Sequence, residues 1–201
     1  MVTRRMSDAC HKLLLSSLTA YYQKRPKYRQ LLYEVIEGVS PLSLRVIDWF
    51  MTHYARNHQV LYWIDETNDV LVEEYPSQPR NDLRKFNLYL EYRAALKSYT
   101  KMYMDPFRRH QRITFVLETD PLRSVETTVG QLNFFRFALS NHVIEYISNH
   151  LAEIESHMAK HQKQIKGANN ASSSSPSSVV RKDYPKIVNT VLRAPCHLRF
   201  D

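Results

Sequence analysis
The 201-residue chain is 43% hydrophobic and 24% charged, enough for one full core and, at this length, one domain with appendages rather than two. Nine prolines stand against three glycines, Gly38, Gly130 and Gly167. Loops that wrap phosphates draw on glycine's freedom at positive φ, so this composition argues against a nucleotide-binding enzyme. The net charge of +8 is unevenly placed. Residues 1–56 carry nine Lys/Arg against four acids, residues 57–79 five acids and no base, residues 80–112 nine bases against three acids, and the remainder ten against eight.

In chain order, Ser7 is a candidate cap for a first helix with Leu14, Leu18 and Tyr21 or Tyr22 on its buried face. Lys24-Arg25-Pro26-Lys27 breaks it, and a second helix, Tyr28 to Glu37, ends at Gly38, a natural C′ residue. Ser40-Pro41 reads as an N-cap and N1 pair opening a third helix through about Asn57, with Leu42, Val46, Trp49, Phe50 and Tyr54 inward. Gln59 to Ile64 and Val70 to Tyr75 read as strands of a hairpin around Asp65-Glu66-Thr67-Asn68-Asp69. Phe86, Leu88, Leu90 and Tyr92 alternate as a strand, or its first half does. The spacing then turns helical through Tyr89, Tyr92, Leu96, Tyr99 and Tyr103. Arg93, Lys97 and Lys101 fall on a ridge beside that seam, and Asp105-Pro106 stops the helix, because the residue before proline is steered out of the α region.

Arg112 to Glu118 is a further strand, Asp120-Pro121 a turn, and Thr127 or Thr128 a cap for a last helical block from Leu132 to Met158, with Asn141-His142 as its breakpoint. The fold expected is α+β: a small antiparallel sheet packed with several helices over residues 1–166. A Ser-rich flexible linker, residues 167–178, and a C-terminal arm, residues 179–201, complete it. The arm returns to apolar residues, Tyr184, Ile187, Val191, Leu192 and Phe200 among them, which favours docking on a neighbour or back on its own domain.

Three blocks go further than composition. They are Phe86 to Arg109 (FNLYLEYRAALKSYTKMYMDPFRR), Glu126 to Arg136 (ETTVGQLNFFR) with Val143 to Ile147, and Leu44 to Phe50 (LRVIDWF). Together they make the region from about residue 40 to 158 resemble a group of proteins encoded by large nucleocytoplasmic DNA viruses of the algal, amoebal and iridovirus-like kinds. The resemblance implies a virion or late protein, placed here among minor capsid components. It implies as partners the major capsid protein and other minor capsid proteins, with self-association open, and a place in the capsid shell after assembly in the host cytoplasm.

Site chemistry is sparse. Cys10 and Cys196 lack zinc-like spacing and suit a reducing site of synthesis, as buried free thiols or as a bridge in a mature particle. His157 and His161, with Glu153 one turn earlier, are a possible ligand set on a solvated helix end, but neither HExxH nor a nearby cysteine accompanies them. No motif supplies an activated nucleophile, so no enzyme, cofactor or metal is expected. The apolar runs fall far short of the ~20 residues of a membrane span, no secretory leader is legible, and a soluble protein is expected.

What remains is surface charge. The expected basic contact side is Arg84, Arg93, Lys97, Lys101, Arg108 and Arg109, and the acidic side Glu66, Asp69, Glu73 and Glu74. Patches of opposite sign favour contacts between protein neighbours. The alternative is a nucleic-acid-binding factor using the Arg84–Arg112 ridge with interleaved tyrosines. Tyrosines at regular seam spacing are also what half-buried core looks like.

Overall fold
The computed structural model describes residues 2–78, 80–119 and 122–171. One compact unit covers residues 1–164, and a second begins at Ile165. The expected arm, with Tyr184, Ile187, Val191, Leu192, Phe200 and Cys196, lies outside the described residues, as does the linker beyond Ala171.

Helix α1 (Val2–Gln23) starts before Ser7, which therefore sits within the helix instead of capping it. Its inward face is the expected one, with Leu18 and Tyr22 fully buried, while Cys10 is exposed rather than buried. Pro26 occupies the first turn of α2 (Pro26–Ile36), where its missing N–H costs nothing. Gly38, at φ +73°, closes α2. Its N–H donates to the Val35 carbonyl at 3.3 Å and that of Val39 to Glu34 at 2.8 Å, the paired bonds of a Schellman end.

The third helix does not open at Ser40-Pro41. Ser40 Oγ instead accepts from the Leu42 N–H in a short turn, and Ser43 Oγ accepts from Val46 at 3.2 Å to cap α3 (Leu44–Trp49). Leu42 and Ile47, at N′ and N4 of this later start, are both buried, which is the spacing of a hydrophobic staple. A π-helical turn, Phe50–Tyr54, joins α3 to α4 (Ala55–His58). Across it Ile47, Phe50, Met51, Tyr54 and Ala55 are all buried, at the i, i+3, i+4, i+7, i+8 spacing of one helix face.

Strands β1 (Leu61–Asp65), β2 (Val70–Val72) and β3 (Leu83–Asn87) form an antiparallel sheet in the order β2-β1-β3, with Tyr62 opposite Phe86. The alternation from Phe86 to Tyr92 is not a strand throughout. Asn87 Oδ1 accepts from the Leu90 N–H at 3.1 Å and starts α5 (Leu88–Tyr99), which buries Leu88 and Tyr92 and turns Leu90 outward. Thr100, at φ 63°, ends α5.

A second, separate hairpin pairs β4 (Ile113–Thr119) with β5 (Leu122–Thr127), with a bulge between Val116 and Glu118. The sheet expected as one is thus two, because α5 and the turns after it separate β3 from β4. The sequence reading missed β5, because its two apolar residues, Leu122 and Val125, fall on opposite faces and only Val125 and Thr127 are buried.

Thr128 Oγ1 accepts from the Gln131 N–H and caps α6 (Val129–Ser140), the helix at the centre of the fold. Phe134 and Phe135 are both fully buried, their rings edge-to-face at 6.1 Å, as befits a helix buried over a wide arc. Tyr22 Oη donates to the Leu132 carbonyl at 2.9 Å, and Tyr62 Oη to the Asn141 carbonyl at 2.6 Å, so α1 and the three-stranded sheet dock on α6 from different directions. His142, at φ 55°, breaks the block where expected, giving α7 (Val143–Asn149) and then α8 (Leu151–Ala171), whose Ile154 and Met158 are buried. The architecture is α+β.

Candidate functional site
Most acids of the hairpin are bonded within the chain, two to arginines and two to histidines. Asp65, only 4% exposed, accepts from the Thr67 and Asn68 N–H groups and the Asn68 amide, and pairs with Arg80 at 2.5 Å. The Asn68 bonds first, then the Arg80 guanidinium, hold its carboxyl well below the usual range. Arg80 also pairs with Asp82. Glu66 meets Arg84 Nε at 3.0 Å, and Asp69 lies 3.1 Å from His142 Nε2. Glu73 accepts from the Asn149 amide at 2.9 Å and lies 2.6 Å from His150 Nε2. Burial pushes the Glu73 carboxyl up, but these two partners outweigh it and hold it below its ordinary value. Of the expected acidic side, only Glu74 has no partner among the described residues.

An acid test follows from Asp65. A carboxyl depressed in the folded chain contributes stability above its unfolded pKa, near 3.9, and loses it as pH falls through the lower folded value. Thermal melts from pH 6 down to pH 2 should therefore show a falling midpoint, and Asp65→Asn should flatten that fall. An unchanged slope in the variant would contradict the assignment.

The expected basic ridge is divided too. Arg84 belongs to the hairpin, held by Glu66 and by Asn141 Oδ1 at 3.1 Å. Arg93 and Lys97 are exposed on α5, Arg93 over the Tyr89 ring at 5.5 Å. Because α5 ends at Tyr99, Lys101 leaves that ridge for a 3-10 turn, Lys101–Tyr103. Arg108 donates to Gln111 Oε1, Arg112 pairs with Glu126, and exposed Arg109 has no partner among the described residues. Arg93, Lys97, Lys101, Arg108 and Arg109 thus carry no neutralising carboxylate among the described residues.

The tyrosine seam is core. Tyr92, 4% exposed, packs on the Phe134 and Phe137 rings, while Tyr89, Leu96 and Tyr103 lie against the same core. Tyr99 is the outermost, and its hydroxyl accepts from Arg136 at 3.0 Å. Along α5 only Tyr99 among the tyrosines keeps an exposed ring, with Arg136 over it.

The three sequence blocks meet where the chain leaves α5. Asp105 Oδ1 accepts from the Phe107 N–H at 2.9 Å, fixing the Asp-Pro-Phe turn and leaving Phe107 half exposed. Asn133 on α6 is buried and donates through Nδ2 to the Tyr103 carbonyl at 2.8 Å. Gly130 is what lets this turn lie on α6, since a Cβ there would sit 2.8 Å from the Met102 carbonyl oxygen and 3.2 Å from that of Asp105.

Two cavities flank the turn, and Pro106 and Phe107 line both. One, about 310 Å³, is walled by Arg108, Arg109 and Arg112 opposite Thr127, Thr128 and Gln131. The other, about 430 Å³, has Tyr92, Leu96 and Met104 as apolar wall, with Asp48, His53 and Lys101 among its polar groups. Burial pushes the Asp48 carboxyl up, an effect opposed by His53 and reinforced by Asp105. Sequence reading selected the arginines but not Phe107 or Asp48. The available signal was a large apolar side chain between a turn-forming Asp-Pro and two arginines.

The histidines on α8 join an aromatic layer. His157 lies 3.9 Å from Glu153 and edge-on to Tyr54, while His161 packs on Trp49 and His53. Burial, then the Glu153 carboxylate that accepts a hydrogen bond from its hydroxyl, pushes Tyr54 up to about 12. Among the described residues no three His, Cys, Asp or Glu side chains are placed to hold a metal ion, and no helix is long and apolar enough to cross a membrane.

Residues 4–191 match a family of unknown function, DUF7197. The chain belongs to that family. The DUF7197 match runs past the Ser-rich stretch to residue 191. The chain is also 29% identical over 156 residues to uncharacterized protein L507 of Acanthamoeba polyphaga mimivirus, a large DNA virus. That alignment covers 76% of this chain and 55% of the relative, so this DUF7197 chain spans about half the relative's length. No solved structure matches.

Proposed function
We propose that this DUF7197 protein is a non-enzymatic structural component of a large DNA virus particle, a minor capsid or cement protein that underlies or bridges major capsid units. The observation that supports this is the imbalance of the surface. Asp65, Glu66, Asp69 and Glu73 are bonded within the chain, whereas five cations from Arg93 to Arg109 remain free of carboxylate partners among the described residues. The side open to partners is therefore basic, and it fits an acidic surface on the major capsid protein or on another minor capsid protein.

The nucleic-acid alternative shares these cations but has little aromatic surface on α5, since Tyr89 and Tyr92 pack in or against the core and Arg136 lies over the exposed Tyr99 ring. Fractionation of purified particles into outer shell and genome core, with quantitative mass spectrometry of each, tests the reading. Recovery with the shell is expected. Recovery with the core, or absence from particles, contradicts it.

A further inference from the structure
The two cavities beside the Asp-Pro-Phe turn differ in chemistry and share a wall. The first offers guanidinium groups. Arg112 pairs with Glu126, which also lines this cavity, while Arg108, bonded to Gln111, and Arg109 carry no carboxylate among the described residues. Planar guanidinium forks suit carboxylates in particular. The second cavity has an apolar wall, and its charged groups, Asp48 and Asp105 against Lys101, leave one acid in excess, so it suits an apolar side chain and not a second carboxylate. Half-exposed Phe107 stands between them as a ridge accessible from both sides. A nucleic acid would use the arginines and one face of Phe107, but it has no group for the apolar wall of Tyr92, Leu96 and Met104 in the second cavity.

From this we infer that the Phe107 ridge is the docking site for an extended segment of an acidic partner protein. The segment presents a carboxylate to Arg108 and Arg109 and, beside it, a large apolar side chain to the cavity walled by Tyr92, Leu96 and Met104. The inference rests on the docking role proposed above and names the chemistry of the partner. A buried apolar anchor next to a desolvated charge pair is the usual composition of an interface's energetic centre.

The test pans a displayed random dodecapeptide library against the full chain, then titrates the synthesised, fluorescein-labelled consensus peptide at physiological salt. The expected consensus pairs Asp or Glu with Leu, Met or Phe within two or three positions. Its Kd should rise about tenfold or more in Arg109→Ala and in Phe107→Ala, both exposed positions, and stay unchanged in Lys160→Ala on α8. Replacing the peptide's acids by their amides should cost as much. A library yielding no enrichment, a consensus without acids, or equal binding by the variants would overturn the inference. So would labelled oligo(dT) binding through Arg109 at that salt, which would make this a nucleic-acid site. Failure of the particle role is separable: peptide binding with these properties would stand even if the protein were absent from the shell.

Discussion
Gly130→Ala should lower the melting temperature, although alanine is ordinarily the better helix former by about 1 kcal/mol. The sign is decided by the carbonyl oxygens of Met102 and Asp105, 2.8 and 3.2 Å from where the new Cβ would sit. Both belong to backbone, which cannot swing aside as a side-chain tip can. Overpacking of this kind costs about 1–3 kcal/mol. In a chain of this size that is roughly 2–12 °C, and Gly130→Leu should cost more. Gly38 is the comparison, because nothing lies within 4 Å of its Cβ position and only its φ of +73° resists substitution. Gly38→Ala should cost about 1–2 kcal/mol without disturbing the turn at Asp105. A Gly130→Ala protein as stable as the parent would mean that the turn does not lie on α6 as described.

Asn133→Leu should be comparably damaging, for a polar reason. The two side chains are close in size, but leucine cannot donate to the Tyr103 carbonyl or accept from Arg136 Nη2, now 2.7 Å from Asn133 Oδ1. Loss of a buried hydrogen-bond partner costs about 1–3 kcal/mol. The side chain is 1% exposed, so water cannot readily substitute. Limited proteolysis should show faster cleavage between Lys101 and Arg109, since that segment loses its tie to α6. A lowered melting temperature with unchanged cleavage there would locate the damage elsewhere in the core.

These two residues also show what the sequence made legible. The α6 block was readable because apolar residues recur at helical spacing and Thr128 stands at its start. Asn133 within it reads only as a tolerated polar residue, because its partner lies 30 positions earlier in the chain. The start of α3 was misplaced because Ser40-Pro41 meets the local rule for a helix start, while the deciding factor is burial of Leu42 and Ile47. Asn87 was a readable cap hidden by strand-like alternation across it.

The charge blocks were counted correctly, but a count cannot tell a surface acid from one already paired. Asp65, Glu66, Asp69 and Glu73 find Arg80, Arg84, His142 and His150, two of them from α6–α7 and α7–α8 junctions far along the chain. The cavities at Phe107 were illegible for the same reason, being assembled from α3, α5, β5 and α6.

The most direct measurement of the docking role is the amount of protein incorporated into particles when the basic side is reversed. Cells infected with virus carrying Arg108→Glu with Arg109→Glu are compared with cells infected by parent virus and by Lys160→Glu virus, with expression and thermal stability matched. The account predicts that particle content falls about tenfold or more for the double variant, as loss of a charge-paired contact would give, and is unchanged for Lys160→Glu. Normal incorporation of the double variant, or an equal fall for Lys160→Glu, would contradict it.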